Sequence, residues 1–403
     1  MNHTLKNIKN LLICKFVPIK KRRLVFTSFS GHYSDSPKYI SEKIHELDDS
    51  IELVWLVRPE VGREVPDYVK KIPINSKEAQ KYRGSAEAVI DNVYCERAFT
   101  LMSDSLLNKI KKIVFCFLND KKKQVALTTF HGTPLKRIGR DQLGNHIVDF
   151  ICPHTVMALG NQYSAEIMSH VTFRKIQMEL LGSPRNDILF HHSEAVRLKE
   201  KLGLPTKKKI LLFAPTFRND GPDVEGKNIQ RSGLNQIQEM DLDRMLQELR
   251  QKFGGDWAMV CRFHYHVDAL IDWEDLRYRF EGKIINGNMH DDMAEYLACS
   301  DILLTDSSSS MFDFMLTKKP CFLYFPDYEN YKEKERGFYL PIESLPFPMA
   351  QTFEKLIENI SGFDDVGYAK EVEVLIEKFG YVDDGNASER IAKYVLERLK
   401  NGD

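Results

Sequence analysis

Short apolar runs of strand length alternate with amphipathic helical stretches along most of the chain, and they do so in two successive blocks. In the first block Leu24–Phe29, Leu53–Val57, Val125–Phe130 and Val156–Leu159 read as strands. In the second, Ile210–Ala214, Ala258–Phe263, Ile302–Thr305 and Cys321–Tyr324 do so. Between them Leu242, Met245, Leu246 and Leu249 share one face of a helix over 241–252, and Met289, Met293 and Leu297 recur every four residues over 289–300. Strands alternating with helices predict βαβ units and parallel sheets. Their repetition predicts an α/β protein of two doubly wound, Rossmann-like domains facing a cleft, with ligands at the carboxyl ends of the strands. The length of 403 residues exceeds what one core organises. The break falls at Gly182-Ser183-Pro184 and the polar stretch to Lys209. The expected organisation is a basic segment over 1–23, a first domain over 24–190, a second over 191–380 and a C-terminal helix over 381–403. A polar turn at Ser388 is expected to open that last helix.

A formal net charge of −1 argues against a nucleic-acid binder. The seven cysteines are odd in number, scattered and never spaced CxxC, which points to reduced, buried thiols and against a zinc knuckle. No apolar run approaches the ~20 residues of a membrane-spanning helix, so the expected protein is soluble or surface-bound. Residues 1–23 hold Lys6, Lys9, Lys15, Lys20, Lys21, Arg22 and Arg23 and no acid, while Leu5, Ile8, Leu12 and Phe16 form a helical stripe. Lysines interrupt the apolar core a signal peptide needs. Such a helix either lies on an anionic membrane, each cation adding about 1 kcal/mol, or packs on the first domain with its lysines solvated. Lys109, Lys111 and Lys112 either extend that surface or rim a strand.

Several segments carry chemistry at expected strand ends. Phe130-His131-Gly132-Thr133-Pro134-Leu135-Lys136 offers an imidazole, a close-approach glycine and a cation where an anion could be met, or else is a polar loop. Thr305-Asp306-Ser307-Ser308-Ser309-Ser310 runs into the helix at Met311. It is either a phosphate cradle at a helix start or ordinary serine capping, for which one serine suffices. Leu211-Leu212-Phe213-Ala214-Pro215-Thr216-Phe217-Arg218 ends another strand in a hydroxyl and a cation. In Val260-Cys261-Arg262-Phe263-His264-Tyr265-His266, alternation sets Arg262, His264 and His266 on one face, with no carboxylate or third histidine at ligand spacing. In Gly182-Ser183-Pro184-Arg185-Asn186-Asp187 the arginine either clamps a phosphate or pairs with Asp187.

Taken in order, the Phe130–Lys136 segment, Gly182–Asp187, Ala214–Arg218, Arg262-Phe263-His264, Thr305-Asp306 through Asp313, and Arg336-Gly337-Phe338-Tyr339 resemble the CDP-glycerol glycerophosphotransferase family, the teichoic acid primases and polymerases of bacteria. The resemblance implies a GT-B-like fold, with the donor bound mainly by the second domain and the acceptor approaching from the first. It departs from the family's usual pattern at Phe130, Tyr265 and Ser307. Its donor-site residues carry over to Phe130, Gly132, Thr133, Pro134, Arg185, Pro215, Thr216, Arg262, Phe263, Ser308, Ser309 and Asp313, with His131 and His264 as the catalytic pair.

On this footing the expected reaction moves glycerol phosphate from CDP-glycerol to a hydroxyl of a lipid-linked or glycan acceptor, in teichoic acid or capsule-type polymer synthesis, and releases CMP. His131 would be the general base. His264, Arg262 and Arg185 would stabilise charge, and Ser308 and Ser309 would hold phosphate oxygens. Asp313, deeper in its helix, would meet ribose or glycerol hydroxyls, or act only on the helix dipole. No cofactor is required, and a divalent metal is compatible but not implied. A cytoplasmic enzyme, peripheral on the inner face of the membrane, is expected. The expectation is of a chain without a large additional N-terminal domain, and so of a primase-like or capsule-type enzyme. The alternatives are a CDP-ribitol or nucleotide-sugar transferase on the same fold, and a non-catalytic membrane-associated scaffold.

Overall fold

The computed structural model describes residues 13–29, 31–59, 64–93, 99–101, 121, 123–142, 148–150, 154–171, 176–216, 232–263, 268, 271–329, 331 and 337–401. The chain divides into two compact units, Met1–Asp187 with Phe379–Asp403, and Ile188–Lys378.

Unit 1 is built on β1 (Arg23–Phe26), β2 (Glu52–Val57), β3 (Lys70–Pro73), β4 (Ala88–Asp91), β6 (Val125–Thr128), β8 (Thr155–Leu159) and β9 (Gln177–Leu180). These strands form one parallel sheet of order β3-β2-β1-β4-β6-β8-β9, while β5 (Phe99–Leu101) and β7 (Val148–Phe150) pair as an antiparallel ribbon. Period-2 alternation decides what each face buries. Leu24, Phe26, Leu53, Trp55, Ile90 and Leu127 point to one side. They pack there with Ile40 and Ile44 of the helix Asp35–Leu47 and with Ile391, Ala392 and Val395 of the helix Ala387–Asn401. Their sequence neighbours Val25, Val54, Leu56, Val89 and Ala126 point to the other side, against Ala79 of the helix Lys77–Ser85. Both faces are covered, which is why the strands read as continuous apolar runs.

The C-terminal helix is therefore part of the unit 1 core. Its opening differs from the expected serine turn. The Asp187 carboxylate accepts from the main-chain nitrogens of Ala387 (2.9 Å) and Ser388 (2.7 Å), capping the helix from 200 residues away. Burial pushes the Asp187 carboxyl up, and these donors oppose the shift.

Unit 2 holds β10 (Lys209–Phe213), β11 (Trp257–Cys261), β12 (Ile284–Asn286), β13 (Ile302–Thr305), β14 (Cys321–Tyr324) and β15 (Met349–Ala350), parallel in the order β12-β11-β10-β13-β14-β15. The helix Leu242–Phe253 buries Leu242, Met245, Leu246 and Leu249 as its spacing predicts, and Asp241 caps it through Arg244 N (3.0 Å). The second expected helix starts later than its methionine repeat. It runs Met293–Cys299 behind an Asp292 cap, leaving Met289 in the preceding loop and 71% exposed. Cys261, Cys299 and Cys321 are free and buried, and burial pushes the Cys299 thiol up to about 12.

Both sheets reverse strand order beside their first strand, between β1 and β4 in unit 1 and between β10 and β13 in unit 2. Helical connections diverge at such points, and ligands of doubly wound sheets bind outside the carboxyl ends there. The chemistry-bearing segments after β6, β10, β11 and β13 sit at or next to these switch points. Among the described residues, no helix is long and apolar enough to cross a membrane, and no group of three or more His, Cys, Asp or Glu could hold a metal ion.

Candidate active site

In unit 1 three neighbouring strand ends converge on His131. Just past β6, Thr129 N donates to Asp91 O (2.9 Å), keeping the chain beside β4 for one more residue. Phe130 then takes φ +54° and Gly132 φ +137°. Positive φ is rare for a bulky side chain and marks strain of the kind that clusters at functional turns, whereas glycine adopts it freely. The reversal buries Phe130 and leaves His131 exposed.

The imidazole is oriented by its surroundings. Nδ1 lies 3.2 Å from the main-chain oxygen of Asn92, just after β4. A carbonyl oxygen only accepts, so this contact puts the proton on Nδ1 and the lone pair on Nε2. The ring meets Phe29 edge-on (5.9 Å, 67°) and lies tilted on Phe130 (4.2 Å, 38°). Phe29, just past β1, donates its main-chain N–H to Asn92 Oδ1 (3.1 Å). Asn92 is fully buried and ties the ends of β1 and β4 to the histidine. Nothing in its local sequence marks it, because its role exists only once three strands are adjacent.

The other unit 1 residues expected at the donor are engaged internally. Thr133 and Pro134 are buried, and the Thr133 hydroxyl bonds Tyr381 Oη (2.7 Å) and Asn161 Nδ2 (2.9 Å). Arg185 pairs with a partner other than Asp187. Its guanidinium pairs with Asp35 Oδ2 at 2.9 Å, both side chains buried. Removing either partner would strand a buried charge, so this pair specifies how the turn after β9 meets the start of the helix Asp35–Leu47.

In unit 2 the ends of β11, β10 and β13 lie side by side. Ala214 N donates to Leu304 O (2.9 Å) and Thr305 Oγ1 to Ala214 O (2.6 Å), carrying β10 and β13 past their last pairs. Asp306 is fully buried. Its Oδ1 accepts from Thr216 N (2.9 Å), from the Thr216 hydroxyl and from Ser307 N (2.5 Å). One carboxylate thus fixes the Pro215-Thr216 turn against the serine loop. Ser308 Oγ, one residue before the N-cap position, accepts from Ser310 N (3.3 Å) and bonds Ser310 Oγ (2.9 Å). Ser309 makes no side-chain cap, and its hydroxyl forms no hydrogen bond among the described residues. Ser308 and Ser309 are half-buried, while Asp313 is buried in the short helix Ser310–Phe314.

Arg262 takes a structural position. Its guanidinium donates to the carbonyls of Gly287 (2.5 Å), His290 (2.7 Å) and Asp291 (2.6 Å) and lies 4.9 Å above the Tyr296 ring. These bonds clamp loop 287–291 to the end of β11. Gly287 permits that approach, since a Cβ there would sit 2.8 Å from Val260 Cγ1 and 2.9 Å from Cys261 O. Phe263 is buried, and Asn288 holds its main chain reciprocally, Oδ1 accepting from Phe263 N (2.9 Å) and Nδ2 donating to Phe263 O (2.6 Å). His264, together with Phe217, Arg218, His266 and Arg336, lies outside the described residues.

The chain is similar to teichoic acid polymerases and transferases. Bacillus subtilis (strain 168) teichoic acid poly(glycerol phosphate) polymerase is 30% identical over 97% of this chain, which spans 51% of that relative's length. Staphylococcus aureus (strain NCTC 8325 / PS 47) teichoic acid glycerol-phosphate transferase is 29% identical, and 93% of each chain is covered. A solved structure of the wall teichoic acid polymerase TagF superposes with a TM-score of 0.76 at 26% identity, covering 99% of this chain and 95% of that one, and the two parallel-sheet units are of its GT-B-like class. The loops at the strand ends of both sheets fall inside one continuous match, residues 10–397, and the chain belongs to the CDP-Glycerol:Poly(glycerophosphate) glycerophosphotransferase family.

Proposed function

We propose that the protein transfers glycerol phosphate from CDP-glycerol to a hydroxyl of a lipid-linked or glycan acceptor in teichoic acid or capsule-type polymer synthesis. The observation that carries this reading is His131, exposed next to a strand-order switch point with Nδ1 turned to the Asn92 carbonyl, which makes Nε2 the basic nitrogen. The acceptor hydroxyl attacks the β-phosphorus of the donor. As the new O–P bond forms, its proton passes to Nε2, the bond to the bridging diphosphate oxygen breaks and CMP leaves. Ser308, Ser309 and the main-chain amides of the loop held by Asp306 are suited to phosphate oxygens. His264 is assigned charge stabilisation by its family motif. Arg262 acts through loop 287–291, and Arg185 and Thr133 support the fold of unit 1.

Thermal shift across CDP-glycerol, CDP-ribitol and UDP-sugars tests the donor. The largest stabilisation is expected from CDP-glycerol, since a ligand that binds only the folded state raises its stability in proportion to RT ln(1 + [L]/Kd). A larger shift with CDP-ribitol or a UDP-sugar would select the transferase alternative.

The same reading places the protein on the inner face of the membrane. Residues 13–17 lie against unit 1: Gly84 fits under Cys14, and Lys121 Nζ donates to the carbonyls of Cys14 (3.0 Å) and Val17 (2.5 Å). Lys20, Lys21, Arg22 and Arg23 are compensated by Glu52, Glu87, Asp48 and Glu52. Attraction to anionic lipid is assigned to the basic segment that carries Lys6 and Lys9 in the sequence, followed by Phe16, which is 76% exposed. Leu5, Ile8 and Leu12 of the expected stripe lie outside the described residues. Deleting residues 1–12 is expected to abolish co-sedimentation with phosphatidylglycerol vesicles. Undiminished co-sedimentation would put the lipid contact elsewhere.

A further inference from the structure

The chain re-enters unit 1 at Phe379, and the re-entering segment is bonded to the loop that carries His131. Gln162 N donates to Gly380 O (3.2 Å), Val382 N donates to Gly160 O (2.9 Å), and Asn161 bridges Tyr381. Gly380, at φ +62°, lies close enough to the helix Gln162–Val171 that a Cβ would stand 2.9 Å from Gln162 Cβ. Tyr163 stacks on Phe379 (4.2 Å, 6°), and Phe379 stacks on Tyr381 (6.3 Å, 14°). The aromatic stack and the main-chain bonds fix where the Tyr381 hydroxyl falls.

That hydroxyl lies 2.7 Å from Thr133 Oγ1, a residue 248 positions away in sequence. Asn161 Nδ2 donates to the same oxygen at 2.9 Å, while Asn161 Oδ1 accepts from Ser164 N at 2.8 Å. Thr133 and Asn161 are both buried and Tyr381 half-buried, so leaving the Thr133 hydroxyl without its partners is costly. One residue separates Thr133 from His131, and it is Gly132 at φ +137°. A glycine does little by itself to hold its neighbours. The imidazole is thus fixed from two directions, by the Asn92 carbonyl at Nδ1 and by the anchored Thr133 beyond the glycine.

We propose that Tyr381 is a positioning residue for His131, setting the base through the Thr133 hydroxyl without touching substrate. The proposal rests on the reading of His131 as general base. Its mechanism is geometric, because proton transfer in the transition state tolerates little misplacement of the base. A contact that acts through the base bears on kcat and leaves the donor KM in place.

The test uses the full chain with Tyr381→Phe, which keeps the stacked ring and removes one oxygen, together with Thr133→Val, Thr133→Ser and the double variant Tyr381→Phe/Thr133→Val. Hydrogen exchange of the 130–136 amides is expected to quicken about tenfold in Tyr381→Phe and in Thr133→Val, the size of one net hydrogen bond, with exchange in unit 2 unaltered. In Tyr381→Phe the kcat for CMP release is expected to fall by a similar factor at unchanged donor KM. Thr133→Ser should restore both readouts, and the double variant should be no worse than either single one. Unaltered exchange, a raised donor KM at constant kcat, or strictly multiplicative losses in the double variant would each overturn the proposal. Faster loop exchange in a protein whose wild type releases no CMP would instead support the tether and overturn the glycerophosphotransfer reading.

Discussion

Replacing His131 with alanine is expected to lower kcat for CMP release from CDP-glycerol by about 10²–10⁴-fold, the range a positioned general base contributes. The donor KM should stay near the wild-type value, because a base that acts on the acceptor's proton works in the transition state and not in donor binding. The fold should not change. His131 is exposed, and losing its hydrogen bond from Nδ1 to the Asn92 oxygen at 3.2 Å leaves behind a carbonyl that water can reach once the ring is gone. Steady-state kinetics and a melting curve on the same preparation check this. An unchanged kcat would remove His131 from the mechanism, and a collapsed melting temperature would reassign it to the fold.

The largest structural effect is expected at Asp306. Its Oδ1 serves Thr216 N, the Thr216 hydroxyl and Ser307 N, and Asp306 and Ser307 are themselves buried. Asp306→Ala strands those donors without water, at about 1–3 kcal/mol for each that finds no new partner, so a loss of about 3–5 kcal/mol is expected. For a unit of this size that corresponds to a fall in melting temperature on the order of 10 °C. Asp306→Asn retains an oxygen at the Oδ1 position and should lose less than half as much. The two loops released are those expected to hold phosphate, so CDP-glycerol should no longer stabilise Asp306→Ala. A variant that melts within about 2 °C of wild type and still responds to CDP-glycerol would show that the turn after β10 and the serine loop are held by other contacts.

How far the sequence carried the account follows the range of the interactions involved. The eight strands expected from strong apolar runs are present, because burial on both faces imprints itself on consecutive residues. β4 escaped notice although it lies at the switch point. Ala88–Asp91 is four residues long, contains an alanine and ends in a carboxylate, and it is a strand because β1 and β6 pair with it on either side. β12 and β15, of three and two residues, carry too little pattern to read. His131 and Gly132 were legible because a glycine turn at a strand end is a local signal. The partners of the two arginines were not. A sequence identifies a cation but not whether a carboxylate 150 residues away or three carbonyls of another loop will claim it, as Asp35 claims Arg185 and loop 287–291 claims Arg262. The same distance hid Asp187 as the cap of the last helix and Tyr381 as the anchor of Thr133. Met289 misled for the opposite reason, since four-residue spacing continued past the Asp292 cap into a loop.

The central claim is glycerol phosphate transfer with His131 as base, and one assay meets it directly. Purified full chain is incubated with CDP-glycerol and a lipid-linked disaccharide acceptor, and free CMP and the mass of the acceptor are followed together. The account predicts CMP release matched by glycerol phosphate units on the acceptor, reduced to near background by His131→Ala in a protein that remains folded. Tight CDP-glycerol binding with neither CMP release nor acceptor extension across a panel of lipid-linked and glycan acceptors would contradict it and favour a non-catalytic role.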